Sequence, residues 1–356
     1  MSEHTVSEAG AAFAERLFLQ VLGGMETLAV YVGDRLGLYR ALADSPLTVD
    51  ELSAQTGMHP RYAREWLEQQ AVSGVLTVDD SDAERRFALP PAYAEVLTDP
   101  QSLAYTTPFA RMLMASASRM PDLLRSYREG GGVGWSEFGA DARDAQGDAN
   151  RPWFERELGP ALASVPSVHE MISRPGARLA DVGCGHGWST IALARAYPSA
   201  TVQGIDVDEP SLVAAREHAA GIDSVSFHLS DGAALTAGEE LFDACFVFEA
   251  LHDMPRPVEV LSAMRQALRP EGAVIVVDEA IADAFAADGD EVERIMYAYS
   301  LFLCLPDSMS TPGSVATGTV MRASTLEGYA RDAGFSGVEV LPIEGFAAFR
   351  FYRLTP

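Results

Sequence analysis

Three glycines at alternate positions, Gly183, Gly185 and Gly187, follow a short apolar run that ends in Asp181-Val182, and they lead into an apolar, helix-period segment, Ile191 to Tyr197. A strand that turns into a helix through glycines leaves backbone N–H groups uncovered at a positive helix end, where a ligand can lie against the main chain. This is a nucleotide-type binding loop. The dinucleotide fingerprint is GxGxxG, which lets a pyrophosphate approach the helix end. Here the third glycine comes one residue early. Asp181, before the first glycine, is poorly placed for a pyrophosphate and suits a ligand carrying an ammonium group.

Other chemistry-bearing residues fall at the ends of further β-rich runs. Asp206 closes Gly204-Ile-Asp-Val207-Asp208, 19 residues after Gly187, the usual place for a carboxylate that accepts both ribose hydroxyls. Asp231-Gly232 follows the next run, where a carboxylate with a small neighbour can receive an adenine amino group. His252, in Phe248-Glu-Ala-Leu-His-Asp253-Met254, would stand at a strand end beside the same site, and a neutral imidazole is well matched to a proton near pH 7. The alternative is a histidine that caps the next helix or bonds a backbone carbonyl. His186, His218 and His228 are scattered and read as structural or surface residues. Cys184, Cys245 and Cys304 lie far apart with no CxxC spacing, against both a disulfide framework and a zinc site, so no metal is expected.

Positioning these residues requires an alternation of strands and helices. Ala177 to Val182, Thr201 to Ile205, Val225 to Leu229, Ala244 to Phe248 and Ala273 to Val277 read as strands, with helices such as Pro210 to Ala220 and Pro257 to Leu268 between them. That is an α/β fold with a doubly wound parallel sheet. Gly337 to Leu341 and Phe346 to Arg353 follow each other without a helix, which predicts a terminal hairpin with one antiparallel strand. A plain dinucleotide dehydrogenase domain does not usually close in this way.

The preceding residues read differently. Ala11 to Leu22 and Glu26 to Leu42 have helical spacing around a Gly23-Gly24 break. Thr48-x-x-Glu51 is a capping box for a helix ending near Gly57, and His59-Pro60 opens another running to about Gly74. Val75 to Val78 and Arg86 to Leu89, separated by the polar stretch Asp79 to Glu84, read as a hairpin. Together they predict a mainly helical winged-helix domain over 1–100. Residues 101–165 are helical and rich in Met and aromatic side chains, a linker or substrate lid, and Gly130 to Gly134 would interrupt it as a mobile loop or hinge. The third segment, 166–356, is the α/β domain.

Composition excludes several functions. Across 356 residues the formal charge is −25, and every basic side chain other than histidine is arginine, so neither a Schiff-base lysine nor a Walker A lysine exists. Residues 1–100 carry 7 Arg against 16 Asp and Glu, a net of −9, which argues against nucleic-acid binding by the winged module. The N-terminus lacks a basic region and an apolar core, and no run approaches a membrane span, so a cytoplasmic chain without membrane partners is expected.

On these motifs, residues from about 165 to 356 resemble the class I S-adenosylmethionine-dependent methyltransferases, which implies a Rossmann-like sheet. With the winged module in front, the chain resembles the two-domain caffeate and polyketide O-methyltransferases, and is most similar to an actinobacterial branch whose substrates are mostly unassigned. The resemblance implies S-adenosyl-L-methionine as cofactor. Asp181, Gly183 and Gly185 would border its methionine part, Asp206 and Val207 the ribose, Asp231 and Gly232 the adenine, with Phe248 flanking the ring. It further implies His252 as general base and Glu279 as its holder. The family's second glutamate falls near Met321 and is missing; Met254 and Pro270-Glu-Gly272 also depart from the pattern. Asn150, Trp153 and Tyr299 are the candidate substrate contacts for a small, aromatic acceptor. A reaction at nitrogen or carbon that needs no base stays open, as do a cofactor-sensing DNA-binding regulator and a dehydrogenase. The family implies a homodimer formed through the N-terminal domain, consistent with the amphipathic Ala11 to Leu22 helix.

Overall fold

The computed structural model describes residues 7–81, 84–235 and 241–356. The export reading at residues 1–6 and part of the polar turn at 82–83 lie outside them. The chain divides into two compact units, Met1–Met114 and Ala115–Pro356, the division falling inside the helix Thr107–Ser118. The segment expected as a separate helical linker is therefore shared between the two units.

In the first unit the capping box forms as read. Thr48 Oγ1 accepts from Glu51 N at 3.3 Å and Glu51 Oε2 accepts from Thr48 N at 2.8 Å, opening the helix Val49–Thr56. Pro60 begins the next helix, Pro60–Val72, because its missing N–H is one that the first turn does not need. Strands β1 (Thr77–Asp79) and β2 (Arg86–Ala88) pair antiparallel as the wing, and Phe87 also bridges back to Leu47. Leu38, Tyr39, Leu52, Leu67 and Phe87 close the core. Asp34 and Arg111 form a buried ion pair at 2.6 Å.

One expected break is absent. Residues Glu8–Arg35 make a single helix through Gly23 and Gly24, since two helical glycines cost only about 1 kcal/mol each relative to alanine. The turn falls instead at Gly37, whose φ of +67° suits glycine, before the helix Leu38–Asp44.

The second unit is built on a seven-stranded sheet: β3 (Arg178–Val182), β4 (Thr201–Asp206), β5 (Val225–Leu229), β6 (Phe242–Phe248), β7 (Leu268–Glu279), β8 (Gly337–Val340) and β9 (Phe349–Thr355). Their order is β5-β4-β3-β6-β7-β9-β8. The first five are parallel, and β9 runs antiparallel between β7 and β8, as the terminal hairpin required. Alternate residues of β6 serve opposite faces. Ala244, Phe246 and Phe248 pack with Ile191 and Leu193 of the helix Trp188–Ala196, whereas Cys245 and Val247 pack with Val260, Leu261 and Met264 of Pro257–Gln266. Both faces are covered. The chain leaves β3 towards β4 on one side and returns to β6 on the other, so the carboxyl ends of β3, β4 and β6 border the switch point where ligands bind in such sheets.

Strand β7 begins at Leu268, five residues before its expected start, because Leu268 already pairs with Phe242 ahead of an irregularity at Phe242/Ala244. The Gly130 to Gly134 cluster is anchored rather than loose. Val133 N donates to Pro306 O at 3.0 Å, Trp135 N donates to Asp307 Oδ1 at 2.7 Å, and a Cβ on Gly132 would lie 1.8 Å from Pro306 O. Glycine is needed there for close approach.

Two helices contain wide π turns, Phe154–Leu158 after Trp135–Trp153, and Ser300–Cys304 after Glu291–Tyr299. Each turn ends two residues before a proline, Pro160 and Pro306. A proline ring clashes with the carbonyl four residues earlier, which in both cases lies inside the wide turn.

Candidate functional site

The glycine loop leaves β3 through Gly183 (φ +79°), Gly185 (φ +49°) and Gly187 (φ +77°), so all three require the left-handed region. Their surroundings differ. A Cβ on Gly187 would sit 2.7 Å from the Phe227 ring, so this glycine lets helix and strand approach, while a Cβ on Gly185 would meet nothing within 4 Å. Gly185 faces open space, the property a ligand cradle needs. Asp181 is fully buried, and its Oδ2 accepts from Ser189 Oγ and Thr190 Oγ1, both at 2.6 Å. It ties the strand end to the first turn of the helix. Burial pushes its carboxyl up to about 6, against those two hydrogen bonds.

A cleft with about 580 Å³ of empty space, part of it open to solvent, lies at the switch point. The glycine loop, Asp206, Phe248 and Glu249 form one wall, and the helix Trp135–Trp153 faces them with Arg143, Gln146 and Asn150. Asp206 Oδ2 accepts from Gly185 N at 2.7 Å and Oδ1 from Asp208 N at 2.8 Å. A carboxylate has room for about four donors, so both oxygens retain capacity for hydroxyl groups. Arg143 reaches over to Asp208 at 2.7 Å and 3.1 Å.

The structure therefore brings Gly183, Gly185, Asp206, Phe248 and Asn150 into one cleft. Asp181, Val207, Asp231, Gly232, Trp153 and Tyr299 are not among the described residues of its wall. Val207 is 71% exposed. Asp231 caps the short turn Gly232–Ala234 through Ala233 N and pairs with Arg256 at 2.9 Å. Phe248 meets Phe154 edge-on at 5.3 Å, and Trp153 packs on Phe346 at 5.8 Å. Tyr299 is half-buried, and burial pushes its hydroxyl up to about 12.

His252 is only 2% exposed and stands among carboxyl groups. Its Nδ1 lies 2.9 Å from Asp278 Oδ1 and 3.3 Å from Glu279 Oε2, and its Nε2 lies 3.3 Å from Asp253 Oδ1. Burial opposes the imidazolium, but the charges of Asp278, Glu279 and Asp253 outweigh it and hold the imidazole well above its ordinary value. Asp278 is held below the usual carboxylate range despite burial because His252 balances it, whereas burial raises Glu279 and Asp253. Cys304, at the end of the second π turn, completes the surroundings. The donor atoms of His252, Asp278 and Glu279 also lie within 4.8 Å of one another, a spacing a metal ion could use.

Sequence reasoning missed two residues. Asp278 is the first, its Oδ1 2.9 Å from His252 Nδ1. Consecutive strand residues point to opposite faces, yet at the end of β7 both Asp278 and Glu279 approach Nδ1. Glu249 is the second, and a carboxyl at the carboxyl end of the central strand was the available signal. It has a positive φ of 47°, and burial pushes its carboxyl up to about 8. Gln146 Nε2 donates to Oε2 at 3.3 Å, while Oε1 has no partner.

Residues 173–307 match the family model described as a methyltransferase domain, and residues 24–99 match an Rv2258c-like winged HTH domain. Among curated relatives, the methyltransferase GfsG of Streptomyces halstedii is 36% identical over 106 residues, 29% of this chain and 38% of that protein. The O-methyltransferase cnsE of Penicillium expansum is 29% identical over 233 residues, 64% of this chain and 72% of its own. The chain spans less than half the length of the first curated relatives it matches. Among solved structures, mitomycin 7-O-methyltransferase MmcR superposes with a TM-score of 0.70 at 22% identity, covering 98% of this chain and 99% of that one. Human N-acetylserotonin methyltransferase in complex with SAM gives 0.71 at 17%, covering 100% and 99%. These two likenesses establish the two-part fold along the whole chain.

Proposed function

From a methyltransferase domain preceded by a winged HTH domain, we propose that this chain is an S-adenosylmethionine-dependent methyltransferase acting on a hydroxyl of a small, aromatic acceptor. One observation carries the reading: the cleft at the strand switch point joins the open face of Gly185 to the Asp206 carboxylate. An amino-acid end fits beside the glycines and a ribose fits Asp206. Val207, Asp231 and Gly232 lie at the following strand ends, where an adenine would extend, and Asp181 fixes the loop from beneath. S-adenosylmethionine, when bound, supplies an electrophilic methyl group on a sulfonium. The chain's own contribution is alignment and exclusion of water. Phe248 and Phe154 provide an apolar wall, and Asn150 a polar contact for the acceptor. Trp153 and Tyr299 belong to the aromatic surroundings read as the acceptor side. His252 is the proposed proton acceptor, with Asp278 and Glu279 holding Nδ1.

The test is calorimetry with S-adenosylhomocysteine together with mass spectrometry for a 14-unit gain across a set of phenolic metabolites. Binding is expected, and Asp206→Ala should weaken it about ten- to a hundred-fold through loss of charge-assisted hydrogen bonds. Wild-type protein that binds no nucleoside at millimolar concentration sinks the reading.

The winged module is proposed as a dimerisation element rather than a DNA reader. Arg61, Arg85 and Arg86 are each paired with a glutamate, at 2.5, 3.2 and 2.9 Å, and the net charge of −9 over residues 1–100 disfavours phosphates. The helix Glu8–Arg35 exposes Phe13, Leu17, Phe18, Val21, Leu22 and Met25. An apolar stripe of this kind suits a second copy. Light scattering should report a dimer for the wild type and a monomer for the double variant Phe18→Glu, Leu22→Glu; a dimer in both would refute the assignment. No described helix is long and apolar enough to cross a membrane, and three free cysteines fit a reducing compartment, the cytoplasm.

A further inference from the structure

The donor proposed above carries an α-ammonium group, and the carboxyl expected to meet it, Asp181, is fully buried behind the loop with Oδ2 held by two hydroxyls. A second carboxyl lines the cleft itself. Glu249 follows directly on β6, on the same wall as Gly183 and Gly185. Its backbone adopts φ +47°, a conformation that costs a non-glycine residue free energy and that directs the chain away from the strand as it ends. The carboxyl is incompletely satisfied: Oε1 is buried without a partner, Oε2 receives one long bond from Gln146, and the Asn150 amide beside it also favours ionisation. Such a group has spare acceptor capacity facing the place where the amino-acid end of the donor would lie.

We propose that Glu249 receives the α-ammonium group of the donor, and that donor binding expels one proton from this carboxyl. The inference rests on the methyltransferase reading of the cleft. Its electrostatic setting follows from the groups around it. The side chains facing Glu249 are the neutral amides of Gln146 and Asn150 on the helix Trp135–Trp153, His252 on its own segment, and Asp278 and Glu279 on β7. Burial and Asp278 oppose ionisation, while His252 and the two amides favour it, and burial dominates. An arriving cation supplies the missing counter-charge, so the proton leaves to solvent and a carboxylate–ammonium pair replaces it. Nothing else is consumed. Discrimination follows from the same chemistry: nucleosides lacking the amino-acid end gain nothing from Glu249.

Titration calorimetry in buffers of different ionisation enthalpy tests this, using S-adenosylhomocysteine and 5′-methylthioadenosine as probes. With wild-type protein at pH 7, S-adenosylhomocysteine should release up to one proton, and its affinity should rise between pH 6 and pH 8. Methylthioadenosine should release none. Glu249→Gln should lose about ten- to a hundred-fold in affinity for S-adenosylhomocysteine, the range of a charged hydrogen bond, and abolish the proton release. Its affinity for methylthioadenosine should stay unchanged. If the wild type binds S-adenosylhomocysteine without proton release and the variant binds it equally well, the role of Glu249 is overturned while the site stands. If neither probe binds the wild type, the cleft reading falls and the inference with it. Should Glu249→Gln fail to fold, the wild-type proton release and its pH dependence decide alone.

Discussion

Replacing His252 with alanine is expected to lower kcat by about a hundred- to ten-thousand-fold, the usual contribution of a positioned proton acceptor, while S-adenosylhomocysteine binding stays within a few-fold. The expectation includes a pH signature. His252 is held as the imidazolium by Asp278, Glu279 and Asp253, so the form able to take a proton becomes more abundant only as pH rises well above the ordinary imidazole value. In the wild type, kcat/KM should climb steadily from pH 6 to pH 9. The residual activity of His252→Ala should show no such climb. A wild-type profile flat over this range, or a variant with full turnover, rules out the base role and favours methylation at an already nucleophilic nitrogen or carbon. Removing the imidazolium also leaves Asp278 without its counter-charge, so the variant should be less stable by about 3–5 kcal/mol, as when one partner of a buried pair is lost.

Stability itself should fall as the solution becomes alkaline. Burial raises the carboxyls of Asp181 (to about 6), Asp307 (to about 7), Glu249 (to about 8), Asp206, Asp253 and Glu279. In the unfolded chain these groups lose their protons near pH 4. Between pH 4 and pH 8 the folded state thus binds more protons than the unfolded one, and stability drops with rising pH. His252 acts in the same direction. Its stabilising contribution is complete below the unfolded value near 6.5 and is lost as pH rises through its raised folded value. Asp278 and Asp208 are lowered and oppose this only on the acid side, where their contribution disappears as pH falls below about 4. The maximum should therefore lie at about pH 4, with a clearly lower Tm at pH 8.5. Scanning calorimetry of the full chain across this range decides it. A Tm that climbs between pH 5.5 and pH 8.5 contradicts the burial argument.

How far the sequence reveals this molecule depends on the kind of signal. Local backbone chemistry was legible: the Thr48–Glu51 capping box, Pro60 as a helix start and the glycine turn at 183–187 all appear where their residue types demand. The β-rich runs found their strands because each is apolar and bounded by turn residues. Glycine was overread twice. Gly23 and Gly24 do not stop a helix whose neighbours favour it, and Gly130 to Gly134 serve a close approach to Pro306 that no local pattern encodes. At the cleft, Asp206 was legible from its place after β4. Asp278 and Glu249 were not, because their partners arrive from segments 26 and 103 residues away, His252 for one and Gln146 for the other.

The two wide turns, at Phe154–Leu158 and Ser300–Cys304, make helix length a coded quantity. Each absorbs one surplus residue within the wide turn, so the helix beyond keeps the orientation that an ordinary ladder one residue shorter would give it. Leu162 beyond the first wide turn is thereby kept fully buried, while Asn150 and Phe154 are kept on the cleft. A relative one residue shorter here should consequently keep the same faces on the core and on the cleft, and differ only in the turn itself.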